Sequence, residues 1–70
     1  NLQLLDREIN DFNESDYSVK ISFQSEEQVQ KLSEYFESIG SQVKYKPYLS
    51  KISQGFVDHE NKRVVFTDHE

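Results

Sequence analysis

Apolar residues recur at helical spacing at the start of the chain. Leu2, Leu5, Ile9 and Phe12 follow one another at intervals of three, four and three, which places them on one face of a helix over residues 2–12. Leu4 falls off that stripe. Asp6 and Glu8 lie toward the N-terminal end, where the helix dipole favours acids. The polar run Asn13-Glu14-Ser15-Asp16 ends the element. Over residues 17–24 the period changes to two. Tyr17, Val19, Ile21 and Phe23 point one way and Ser18, Lys20, Ser22 and Gln24 the other, the pattern of a half-buried strand.

Residues 25–39 return to helical spacing. Ser25 with Gln28 fits a capping box, and Val29, Leu32, Phe36 and Ile39 form the apolar stripe, with Tyr35 on its edge. Gly40 stands where a helix-terminating glycine belongs. Residues 42–48 alternate again: Val43 and Tyr45 face in, Gln42, Lys44 and Lys46 face out. Pro47 limits this strand or places it at a sheet edge. Residues 48–54 suit either a short helical turn or a bent strand. Residues 55–67 read as a hairpin turning at Glu60-Asn61, which pairs Asp58 with Arg63, Val57 with Val64 and Phe56 with Val65. The expected fold class is α+β. One domain spans residues 1–70 in the order α-β-α-β-β, with room for one more strand, and its helices pack on a mainly antiparallel sheet of three or four strands.

Composition limits how such a fold is held. A chain of 70 residues buries only about 60% of its unfolded surface, so its core is marginal. It contains no cysteine, hence no disulfide, and its two histidines, His59 and His69, are too few for a structural zinc site. No cofactor is expected. No run approaches the roughly 20 apolar residues of a membrane span, and no secretory leader is visible. A cytoplasmic, cysteine-free protein fits these features. The chain lacks alanine and has six lysines to two arginines, a bias expected of an A/T-rich genome such as that of some bacteria and phages.

Little in the sequence points to catalysis. The triplets Asp58-His59-Glu60 and Asp68-His69-Glu70 invite a metal reading. In the hairpin register above, however, they lie about five residues apart along the ladder, or roughly 17 Å, too far for one ion. There is no G-x-S-x-G elbow and no thiol, and the nine serines are scattered. Gly40 and Gly55 stand alone, so no phosphate-cradling loop is present. Asn13-Glu14-Ser15 matches a glycosylation sequon, a short pattern that commonly arises by accident. The chain is expected not to be an enzyme.

Charge and the hairpin together point to binding. The net charge is −5, but it is segregated. Residues 1–16 carry five acids against Arg7, and residues 25–40 carry four against Lys31. Residues 41–56 carry Lys44, Lys46 and Lys51 with no acid. Such separation can steer a charged partner. The hairpin has apolar residues on both faces: Val57, Val64 and Phe66 on one, Phe56 and Val65 on the other. A strand apolar on both sides calls for cover on both sides. Either the two helices lie on opposite faces, or another chain covers one face. The expected function is a protein-interaction or regulatory module whose partner is another protein or a second copy. Its binding residues would be Lys20, Lys44, Lys46, Tyr48, Phe56 and Val65. The alternative is a nucleic-acid-binding module that uses the lysines and Tyr48 for charge and stacking, against which stands the acidity of the whole chain.

Overall fold

A computed structural model of the chain describes residues 2–51 and 54–67. The elements are α1 (Leu2–Glu14), β1 (Ser18–Phe23), α2 (Glu26–Ser38), β2 (Lys46–Leu49), β3 (Phe56–Asp58) and β4 (Arg63–Thr67). The fold is a small α+β domain with two helices on a four-stranded sheet of order β2-β1-β4-β3.

Both helices end in the same device. At the end of α2, Gly40 takes φ +70, Gly40 N–H donates to Glu37 O, and Ser41 N–H donates to Phe36 O at 2.9 Å. These bonds satisfy carbonyls that the last turn would leave orphaned. At the end of α1, Asp16 takes the glycine-like role at φ 64, with Asp16 N–H donating to Asn13 O and Tyr17 N–H to Phe12 O. The apolar contact that accompanies such an ending is present: the Phe12 and Tyr17 rings lie 5.1 Å apart. At the start of α2, Ser25 caps the helix by accepting from Gln28 N–H, and Gln28 Oε1 accepts from Gln24 N–H.

The core lies between the helices and one face of the sheet. Leu5 and Ile9 of α1 and Leu32 and Phe36 of α2 pack on Val19, Ile21 and Phe23 of β1 and Val64 and Phe66 of β4. Phe12, Val29, Tyr35, Val43 and Tyr45 close its margins. The two helices therefore share one face. The predicted stripes hold except at one end of each. Leu2 is exposed, and Ile39, expected in the core, is 48% exposed because it is the residue on which α2 terminates.

The sheet is mixed, not mainly antiparallel. Central β1 runs parallel to both β2 and β4, and only β3 and β4 are antiparallel. The reason is connectivity. The α2 crossover returns β2 beside β1 in the same direction. The connection after β2 then carries the chain to the far edge, where the hairpin sets β4 against β1's other side. The hairpin register is the predicted one, Phe56–Val65, Val57–Val64 and Asp58–Arg63.

The strand expected over residues 42–48 begins only at Lys46 and runs to Leu49, at a sheet edge as Pro47 requires. Before it, the Asn13 side chain acts as the backbone partner of Lys44. Lys44 N–H donates to Asn13 Oδ1 at 2.7 Å, and Asn13 Nδ2 donates to Lys44 O at 3.0 Å. Ser41 is likewise held by Asp6. Residues 41–45 are thereby tied to α1 instead of the sheet. Beyond β2, Ser50 N–H donates to Phe23 O, and Ile52 and Ser53, part of the segment with two readings, lie outside the described residues.

Candidate interaction face

The face of the sheet turned away from the helices has an order that follows from the strand registers. Lys46 lies opposite Lys20, Lys20 opposite Val65, and Val65 opposite Phe56. These four residues form one row across all four strands, cationic at the β2 side and apolar at the β3 side. On one side of the row lie Tyr48, Ser22 and Thr67; on the other lie Ser18, Arg63 and Asp58. A shallow depression over the row is lined by Lys20, Lys46, Pro47, Tyr48, Phe56 and Val65.

Five of the six residues expected to bind are therefore gathered in one place. Lys44 is not, because the Asn13 clamp holds its backbone outside β2 and no strand register sets it beside Lys20. The row itself is invisible in the sequence. Lys20 and Val65 become neighbours only through the parallel pairing of β1 and β4.

The row's residues differ in exposure. Phe56 is 55% exposed, whereas Val65, its cross-strand neighbour, is only 7% exposed. Val65 stands apart from the cluster beneath the helices. Val57 points to the helix side yet is also exposed, because α1 and α2 pack over β1 and β4 and leave the β3 edge uncovered. The two edges of the sheet differ accordingly. β2 carries Lys46 and Pro47, residues that discourage further strand pairing, and β3 carries Phe56 and Val57.

Electrostatics single out the cationic end. Among the described residues, the ion pairs are Lys31–Glu27 on α2 and Arg63–Asp58 on the hairpin. Lys20 and Lys46 take part in neither. Arg63 is neutralised within its own row by Asp58. The Asp58 carboxyl is held below its ordinary value, first by hydrogen bonds from the Asn61 side chain and backbone, and then by Arg63. In the row next to the lysines, Ser22 is buried and its Oγ has no hydrogen-bond partner among the described residues.

Of the two Asp-His-Glu triplets, only the first lies within the described residues. Asp58 is engaged by Asn61 and Arg63, and His59 Nδ1 lies 2.6 Å from the Tyr17 hydroxyl. Asp68, His69 and Glu70 lie outside the described residues. No cluster of three or more metal-ligating side chains is found among the described residues. None of the described helices is long and apolar enough to cross a membrane. The sequon asparagine, Asn13, is committed to Lys44.

Comparison with protein-family models, curated proteins and solved structures finds no match to this chain.

Proposed function

We propose that this protein is a non-enzymatic protein-binding module of the cytoplasm that uses the helix-free face of its sheet. The observation that carries this reading is the row Lys46–Lys20–Val65–Phe56, which has a half-exposed aromatic ring at one end and, at the other, two lysines that no carboxylate of the described residues pairs. Exposed aromatic residues flanked by charge are what binding faces present, since they supply contact area at small cost in side-chain entropy. The opposite side of the molecule is helical and acidic, carrying Asp11 and Glu14 on α1 and Glu26, Glu27, Glu34 and Glu37 on α2. The charge separation orients an incoming partner toward the sheet.

A photo-reactive phenylalanine analogue in place of Phe56, compared with the same analogue in place of Glu34 on α2, tests this reading. The expected result is a discrete protein adduct from position 56 and none from position 34. Equal capture from both positions, or none from either, would overturn it. An adduct of twice the chain's mass would identify the partner as a second copy.

One observation favours a second reading. Tyr48 and Phe56 flank the lysines on the helix-free face of the sheet, an arrangement on which bases can stack. Against it stand the net charge of −5 and the small number of lysines on the face.

A further inference from the structure

Resting on the protein-binding reading of this face, we infer that its ligand is an extended acidic segment of another polypeptide, with an apolar residue followed by acids two and four positions later. The segment crosses the strands along the row, its apolar side chain against Phe56 and Val65 and its carboxylates facing Lys20 and Lys46.

The anionic character follows from the two lysines. They are direct cross-strand neighbours, and like charges in that relation repel. Among the described residues, no carboxylate pairs with either, although the chain carries 13 acids. Eight of the acids lie on the helices, Asp58 is paired with Arg63, Asp16 and Glu60 lie in turns, and Asp68 and Glu70 lie outside the described residues. An anion brought to this end of the row relieves the repulsion and gains both attractions.

The spacing follows from sheet geometry. Neighbouring strands lie about 4.8 Å apart, so the row from Phe56 to Lys46 spans about 14 Å. An extended chain advances about 3.3 Å per residue and turns alternate side chains to the same side. Its first, third and fifth residues then fall over the Phe56–Val65 pair, Lys20 and Lys46 in turn. A helix would rise only about 1.5 Å per residue and would present its side chains in a broader stripe than one row accommodates. The acidity of the whole chain opposes a polyanion with one charge per nucleotide, whereas two or three carboxylates at one end of the ligand match the two ammonium groups.

The test has two parts. A display library of random seven-residue peptides is selected on the protein, and each enriched peptide is re-bound to Phe56→Ser and to the Lys20→Gln/Lys46→Gln double variant. The synthetic peptides Leu-Ser-Glu-Ser-Glu and Leu-Ser-Gln-Ser-Gln, and a ten-nucleotide deoxythymidine strand, are then compared by fluorescence polarisation. All the altered side chains are exposed, and the circular dichroism of each variant checks that it folds. The expected outcome is enrichment of apolar-x-acid-x-acid sequences, with the glutamate peptide binding about tenfold more tightly than the glutamine peptide. The double variant should abolish that difference. Enriched peptides that need Phe56 but carry no acids would overturn the inference and leave the interaction face standing. Peptides indifferent to Phe56, or no enrichment at all, would overturn both. Tighter binding of the deoxythymidine strand, lost in the double variant, would assign the face to nucleic acid and also overturn the inference.

Discussion

Lys20 and Lys46 stand opposite each other in the parallel register of β1 and β2, two cationic residues on adjacent strands of the helix-free face. Directly opposed like charges on neighbouring strands lower stability. Lys46→Gln is therefore expected to leave the fold intact and raise its stability by a few tenths of a kcal/mol in low salt. In 0.5 M salt the gain should vanish through screening. Urea denaturation at the two salt concentrations measures this. Destabilisation at low salt would mean that the lysines serve the fold and not a ligand.

The middle and the end of the α2 stripe are expected to behave differently. Leu32 is buried among Phe36 and the β1 side chains, so Leu32→Ala should cost about 2–5 kcal/mol, enough to unfold much of a domain this small. Ile39 is half-exposed at the helix end, and Ile39→Ala should cost under about 1 kcal/mol. Equilibrium denaturation of both variants checks the pair, and equal losses would contradict the placement of the core.

Asn13 fastens the segment before β2 to α1 through two hydrogen bonds to Lys44. Asn13→Ala removes both and is expected to cost about 1–3 kcal/mol. Asn13→Asp keeps the acceptor for Lys44 N–H but loses the donor, so its loss should be intermediate. Hydrogen exchange at the Lys44 amide reports the clamp locally: exchange should accelerate in Asn13→Ala more than in Asn13→Asp.

The hairpin should weaken in strong acid. Asp58 is held below its ordinary value of 3.8 chiefly by hydrogen bonds from Asn61. Because the folded value is the lower one, its contribution to stability is complete above the ordinary carboxylate range and is lost as the pH falls through the folded value. A titration of the Asp58 side chain followed by NMR should give a midpoint below 3.8 in the intact protein, moving upward in Asn61→Ala. A midpoint at or above 3.8 in the intact protein would contradict the turn geometry.

What could be read in the sequence was local. Ser25 and Gln28 mark the start of α2 and Gly40 its end, and the hairpin register follows from a short turn between matched apolar residues. The parallel strand order was not legible, because alternation reports which way a side chain points and not which strand lies beside it. The same limit applies to residues 42–45. Their alternation is real, but their backbone partner is a side chain on α1, 31 positions away from Lys44. The candidate site divides along this line. Lys20, Lys46, Tyr48, Phe56 and Val65 were identifiable as residue types on the less apolar or doubly apolar strands. Their union in a single row, and the exclusion of Lys44 from it, depended on pairings between distant segments.

The helix-free face as the binding surface is tested most directly by an amide NMR titration of the isotope-labelled protein with the peptide Leu-Ser-Glu-Ser-Glu. The predicted result is a set of saturable shifts confined to Lys20, Lys46, Tyr48, Phe56, Val65 and their strand neighbours, with α1 and α2 unmoved. Shifts centred on the helices, or none anywhere on the sheet at millimolar peptide, would contradict it.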